Sequence, residues 1–355
     1  MEAVILAGGL GSRLRPLTDR HPKHVLPVAG LPFLAHQLAR LAAAGVDHVV
    51  LAVSYRADEV AAVFGDGSGY GVRLTYVLEP EPLGTGGAIR AASDHLNGRA
   101  DDPVIVLNGD QLSDHDLAEQ VVAFGVSGAD VSLQLAVVAD PRAYGCVPTD
   151  ADGRVTGFQE KSPDPVSHQV NAGCYVFRRA VIDTVPPGAV VSVERETFPR
   201  LLRDGRILVG HRTDGYWTDV GTPGALVLTS SDLVRGLVRS PALPTPSGER
   251  LVHPAAEMHP GARVVGGSVL GEGCVVGDGA VVDGSILMAG AVVAPASTVR
   301  QSALGPGSAV GPECVVRASV LGDGARLGGR CELREGARIG CDVRIPDGAV
   351  RFGAG

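Results

Sequence analysis

Ala3-Val4-Ile5-Leu6-Ala7-Gly8-Gly9-Leu10-Gly11-Ser12-Arg13-Leu14-Arg15-Pro16-Leu17-Thr18 is the stretch on which the fold turns. Its unbroken aliphatic run is too short for a buried helix, and glycines at 8, 9 and 11 follow at once, so it reads as an interior strand feeding a glycine loop. Working outward, the same aliphatic pattern returns at residues 48–53, 73–78 and 104–107. Helical periodicity fills 33–44, 57–64 and 86–96 between them. That alternation predicts βαβ units and a mainly parallel sheet, whose ligands gather at the carboxyl ends of the strands. Two loops stand at such ends, residues 8–13 and Asn108-Gly109-Asp110. A further strand is expected at 174–177, preceded by Asn171-Ala172-Gly173, and Thr222-Pro223 reads as the start of a helix reaching about 234.

The 355 residues carry 31 basic and 39 acidic side chains, a net charge of −8, with 45% hydrophobic residues. This composition supports a buried core and argues against a nucleic-acid binder, which needs a basic face. The opening apolar run is far shorter than a signal-peptide core, so a cytoplasmic protein is expected. Six cysteines lack metal-binding spacing and read as small reduced hydrophobes. Only two of the basic residues are lysines, Lys23 and Lys161. In a chain that otherwise uses arginine, a surviving lysine marks a place where a compact ammonium is needed, unless composition alone left it there.

Past residue 261 the sequence becomes repetitive. Ser268, Ser285, Ser302 and Ser319 recur every 17 residues inside Ser-Val-Leu-like segments, and small residues precede aliphatic ones by two positions, as in Cys274 with Val276 and Ala291 with Val293. Three such pieces per period make one triangular coil of a left-handed parallel β-helix built from hexapeptide-like repeats, about four coils in all. The expected fold class is therefore α/β, a Rossmann-like domain with a mainly parallel mixed sheet followed by that β-helix. The expected boundaries are 1–238 for the first domain, 239–260 for a proline-rich linker and 261–355 for the β-helix.

The first loop is neither of the two common phosphate loops. A Rossmann loop wants a third glycine where Leu14 stands, and a P-loop wants Gly-Lys-Ser/Thr where the chain has Gly11-Ser12-Arg13. Alone, such a loop is a tight turn. With Arg13 and Lys23 nearby, its backbone N–H groups and two cations suit a polyphosphate.

The motifs GGLGSRLRPLT…PK, EPEPLGTGGAI, NGD, AYGCV, FQEK, VNAGCYVF, VERETFP and WTDVGTP, in this order, resemble those of the sugar-1-phosphate nucleotidylyltransferases, and most closely the mannose-1-phosphate guanylyltransferases. The resemblance spans essentially the whole chain. Two departures flank the lysines, Pro22-Lys23-His24 in place of PKP and Glu160-Lys161-Ser162 in place of EKP. The resemblance implies attack of a sugar 1-phosphate oxygen on the α-phosphorus of a nucleoside triphosphate, with release of pyrophosphate. It implies Arg13, Lys23, Asp110 and Asp219 as catalytic residues, the two aspartates holding Mg²⁺, although either alone could be a turn former or helix cap. For the nucleotide it implies Leu6, Ala7, Gly8, Gly9, Gly11, Ser12, Arg13, Glu79, Gly84, Thr85, Asn108 and Gly109. For the sugar phosphate it implies Tyr144, Gly145, Glu160, Lys161, Asn171 and Gly173.

Glu79 bears on base choice. Guanine presents two adjacent donors that one carboxylate accepts together, whereas uracil and thymine present one donor between acceptors, so Glu79 points to GTP unless Glu81 or backbone groups read the base. The expected product is GDP-mannose. Alternatives are another sugar or cyclitol 1-phosphate, such as glucose 1-phosphate or valienol 1-phosphate, with GTP, ATP, UTP or dTTP, and a catalytically silent regulatory subunit. Retention of five charges suited to phosphate and metal argues against the silent reading. No nucleic acid or membrane partner is expected, and the repeat tail suits assembly into a homo-oligomer.

Overall fold

Seven strands form the first sheet: Glu2–Ala7 (β1), His48–Val53 (β2), Arg73–Leu78 (β3), Pro103–Asn108 (β4), Val131–Val137 (β5), Gln169–Arg178 (β6) and Leu208–Arg212 (β7), in the order β7-β5-β6-β4-β1-β2-β3. In this computed structural model, β1 runs parallel to β2 and to β4, with Ala7 opposite Val53 and Leu6 opposite Asn108. Only β6 is antiparallel, to β4 and β5 alike, so the sheet is mixed and mainly parallel as its aliphatic runs predict. All six residues of β2 are buried, the pattern of a strand covered on both faces. The structure describes every residue except Tyr55, Pro244, Pro246, Ser247, Val350 and 353–355, and for Arg351–Phe352 the backbone alone.

Helices Phe33–Ala43 (α1), Ala57–Phe64 (α2), Gly84–Ser93 (α3) and Leu117–Ser127 (α4) alternate with these strands. Asp116 caps α4 by accepting from the Ala118 and Glu119 amides at 2.8 and 3.0 Å, and Gly128 ends it in the left-handed region. The start of α3 lies two residues ahead of the expected position. Gly84, at φ +69, turns the chain so tightly against the Val191 carbonyl that a Cβ would sit 2.6 Å from it, and three glycines hide that turn from a propensity reading. Beneath the sheet, Phe198 stacks on Phe158 with ring centroids 5.2 Å apart and meets Tyr175 edge-on, all within one aliphatic and aromatic core.

Asn171-Ala172-Gly173 does not precede a strand; it lies inside β6. The β5–β6 register jumps from Leu133 opposite Tyr175 to Leu135 opposite Asn171, so three residues of β6 face Gln134 alone. This bulge is held by the Asn171 side chain, which accepts from the Gly173 amide at 3.0 Å, and by the Trp217 indole, which donates to the Ala172 carbonyl at 2.9 Å. A bulge is a property of two paired strands, which is why a single-strand reading starts β6 too late.

The described residues gather into two compact bodies, one of 1–9 with 37–217 and one of 10–36 with 218–355. The second holds the β-helix, three faces of six parallel strands each. Its rungs step in register, Val269 to Ile286 to Ala303 to Val320 along one face. Inside, Val276, Val293, Val310 and Leu327 stack in a continuous apolar column. The repeating serines are buried and form a ladder in which the Ser285, Ser302 and Ser319 amides each donate 3.1 Å to the serine hydroxyl one coil back. Each hydroxyl satisfies an amide that would otherwise be orphaned in the interior. Cys274, Cys314 and Cys331 occupy the small inward positions as free thiols.

Among the described residues the coils number six where the repeat suggests about four, and they begin at Arg250, inside the segment 239–260 read as linker. End coils expose one side, so their residues are polar or proline-bearing, as in His253-Pro254 and His259-Pro260, and the repeat signature fades there. Thr222 caps the helix Pro223–Arg235 by accepting from the Ala225 amide at 3.2 Å, and Ser231 of that helix donates to the Gly266 carbonyl of the β-helix.

Candidate active site

In the first body, β1 and β4 end side by side, and the Gly109 amide donates to the Leu6 carbonyl at 2.9 Å. That bond sets Leu6, Ala7 and the Gly8-Gly9 loop beside Asn108, Gly109 and half-buried Asp110. Ser54 at the end of β2 donates to the Gly8 carbonyl and pins the loop. A Cβ on Gly8 would lie 3.7 Å from the Glu79 carboxylate, which places Glu79 against the loop. Glu79 is only 7% exposed, and burial raises its pKa above the ordinary glutamate value, offset in part by one N–H donated from Leu83 at 3.3 Å. A buried carboxylate with so few donors is suited to a ligand that brings its own.

Gly84 and Thr85 open α3. Thr85 donates to Glu194 at 2.8 Å and accepts from the Val193 amide at 2.8 Å, and the Gly86 amide donates to the Val191 carbonyl. These bonds tie the first turn of α3 to the segment 189–194. Glu194 is the hub there: it also accepts from Ser192 at 2.9 Å and from the Tyr175 hydroxyl at 3.4 Å. Tyr175 in turn accepts from Asn171 at 2.7 Å, so Asn171 is held by its own strand and by this relay.

Gly173 joins two motifs. At φ +69, a Cβ there would sit 1.9 Å from Gln111 Oε1 and 2.6 Å from Asn108 Nδ2, so only glycine lets the side chains after β4 lie over the β6 bulge. Tyr144 packs edge-on to Trp217 with ring centroids 5.3 Å apart. Gly145 accepts from the Asn171 amide, and a Cβ on it would meet the Glu160 carboxylate at 3.0 Å. Glu160 pairs with Lys161 at 3.9 Å and with Arg195 at 3.6 Å. Lys161, an exposed side chain on a backbone at φ +24, is the kind of strained residue that clusters at ligand sites.

In the second body Gly11, at φ +64, accepts from the Thr18 hydroxyl at 2.8 Å and opens a short helical turn over Ser12–Leu14. A Cβ on Gly11 would stand 3.0 Å from the Lys23 stem, so the glycine brings Lys23 against the loop. Arg13 forms an ion pair with Asp219 at 3.5 Å, the guanidinium mostly exposed and the carboxylate mostly buried. A Cβ on Gly221 would lie 2.3 Å from Arg13 Nη2 and 2.7 Å from Asp219 Oδ1. The pair occupies the space that any other residue at 221 would fill.

No group of three or more His, Cys, Asp or Glu side chains converges as a metal cage among the described residues. Mg²⁺ needs none, because it keeps waters and phosphate oxygens and takes one or two carboxylates from the protein. Asp110, just past β4 in the first body, and Asp219, given its room by Gly221 in the second, are each a hard oxygen donor of the kind that Mg²⁺ takes. Sequence reading passed over Gln111, Glu194, Arg195 and Ser54. Glu194 and Arg195 stand in the VERETFP motif, which marks the segment without showing that one carboxylate turns inward and the next guanidinium turns toward Glu160.

Two families match the chain: nucleotidyl transferase over residues 2–235 and the GMPPB C-terminal domain over 247–350. A mannose-1-phosphate guanylyltransferase of Mycobacterium tuberculosis is 53% identical over 353 residues, 99% of this chain and 98% of that one. A mannose-1-phosphate guanyltransferase of Schizosaccharomyces pombe is 35% identical over 265 residues, 72% of each chain. Among solved structures, HddC from Yersinia pseudotuberculosis complexed with GMP-PN aligns with a TM-score of 0.56 at 28% identity, covering 65% of this chain and 98% of that one.

Proposed function

The chain belongs to the nucleotidyl transferase family, and from that premise we propose that it is a mannose-1-phosphate guanylyltransferase, converting GTP and mannose 1-phosphate to GDP-mannose and pyrophosphate. The observation that carries the reading is the 53% identity with the mycobacterial enzyme over nearly the full length of both chains.

One oxygen of the sugar phosphate attacks the α-phosphorus of GTP in line; the bond to the bridging oxygen breaks and pyrophosphate leaves. The nucleophile is already ionised, so the protein's work is to bring two anions together and neutralise them. Arg13 and Lys23 take the triphosphate, the first leaving its pairing with Asp219 to do so, and Lys161 takes the sugar phosphate. Glu160 accepts from sugar hydroxyls, while Arg195 orients its carboxylate. Asp110 and Asp219 would hold Mg²⁺, which when bound neutralises phosphate charge. Glu79 accepts N1–H and N2–H of guanine. We assign the reaction to the cytoplasm, a reading supported by six free thiols, and assign the β-helix to assembly into a homo-oligomer, which light scattering of the full chain reads directly.

The test is a matrix of nucleoside triphosphates against sugar 1-phosphates, followed by pyrophosphate release. GTP with mannose 1-phosphate is expected to give the highest kcat/KM. Release with no pair by folded protein would overturn the enzymatic reading, and a different best pair would replace the substrates only.

Glu79→Gln is expected to lower the preference for GTP over UTP and dTTP by about 10- to 100-fold, because an amide meets one of guanine's two donors with a donor of its own. The raised pKa adds a signature. A carboxyl raised by burial holds its proton at higher pH than usual, and the protonated form no longer accepts both donors. KM for GTP in the native enzyme therefore rises on acidification from above the ordinary glutamate range, and this limb is missing in the variant. An unchanged preference and an unchanged limb would place base reading elsewhere.

A further inference from the structure

Gln37 lies on α1, 2% exposed, and its side chain is spent on one turn of backbone. Its Nε2 donates to the Asn108 carbonyl at 2.8 Å and to the Gln111 carbonyl at 2.9 Å, the two residues that bracket Gly109-Asp110. Its Oε1 is buried with no hydrogen-bond partner. An apolar side chain of the same shape would avoid that orphaned oxygen, so what the site gains from glutamine is the pair of donated bonds. One helical turn on, Arg40 reaches the His115 ring at 3.0 Å and its carbonyl at 3.4 Å. Two residues on the same face of α1 thus grip the segment 108–115 at both ends. On the opposite flank the Gly109 amide is fastened to β1 through the Leu6 carbonyl. The backbone that carries Asp110 is held from two sides, and the Gln37 side chain bonds the residues on either side of Gly109-Asp110.

We propose that Gln37 is a positioning residue that fixes the Asp110 carboxylate for metal and phosphate. The proposal rests on the reading of Asp110 as a metal-holding carboxylate. Mg²⁺ demands near-ideal geometry, so a turn that shifts by even a fraction of an ångström weakens the ligand without removing it.

The test uses the full chain with Gln37→Met, which keeps the volume and deletes both donors. Residues that orient a metal ligand change metal affinity or activity by about 10- to 100-fold. The expected result is a kcat lowered by that factor and a half-saturating Mg²⁺ concentration raised in parallel, with KM for GTP at saturating Mg²⁺ moved less than about threefold and a native-like circular dichroism spectrum. Gln37→Glu, which offers at most one O–H in place of two N–H, is the second variant, used if the first does not fold, and is expected to move Mg²⁺ dependence in the same direction. Wild-type kcat and Mg²⁺ dependence in a folded variant, or a lowered melting temperature with both unchanged, would overturn the positioning role. Asp110→Asn is measured beside them: if it retains wild-type turnover, the metal reading of Asp110 falls and the inference with it. If Asp110→Asn is inactive while the Gln37 variants match wild type, only the inference falls.

Discussion

Turnover is expected to fall by roughly 10²- to 10⁴-fold when Asp110 or Asp219 is changed to asparagine, with little change in folding. The amide keeps the shape of the carboxylate and loses the charge that a hard cation and a crowd of phosphate oxygens require. Stability should hardly register the change at Asp219. Its partner Arg13 is 63% exposed, and ion pairs at such sites contribute about 0–1 kcal/mol. Pyrophosphate release at saturating substrates, read beside a thermal melt, separates the two effects. Wild-type rates in both variants would remove these residues from the metal site. A large drop in melting temperature would show that Asp219 serves the fold instead.

Lys161→Met is expected to lower kcat/KM for the sugar phosphate by about 10²-fold, the worth of one or two charge-assisted hydrogen bonds to a phosphate. KM for GTP is expected to stay near its native value, because Lys161 stands in the Glu160 and Arg195 cluster and not beside Glu79. Lys161→Arg is the sharper variant. It keeps the charge and replaces a compact ammonium by a planar fork on a backbone already at φ +24. Incomplete recovery supports a shaped phosphate pocket. Full activity in the arginine variant would mean that lysine at 161 is an accident of composition.

Much of the architecture was legible because it is written locally. The run from Ala3 to Ala7 reads as a strand because it is too short for a buried helix and glycines follow at once, and an unbroken apolar run suits a strand covered on both faces. The serine every 17 residues announces a coil, because a buried hydroxyl that bonds the next coil's amide is needed at the same place in each turn. The cations and carboxylates of the candidate site were likewise visible as motif members, since a resemblance over the whole chain carries residue identities with it. The end coils were not visible, because exposure relaxes the pattern that defines the interior ones.

What the tertiary structure alone decided are matters of approach between residues far apart in the chain. Gly173 is needed because its backbone stands at φ +69 with Gln111 1.9 Å from where its Cβ would be, and Arg13 and Asp219 meet beside Gly221. Thr85, a candidate for the nucleotide site, donates to Glu194, 109 positions away. Gln37 has no motif around it and gains its role only when α1 packs beside the turn after β4. By itself the sequence determined the strands at 3–7, 48–53, 73–78 and 104–107, the helices that alternate with them and the serine-marked coils, because backbone preference and apolar periodicity act over a few residues. Which side chain meets which backbone carbonyl depends on how those segments pair and pack, and a bulge in β6 or one turn of α1 re-aims a side chain by several ångströms without leaving a local trace.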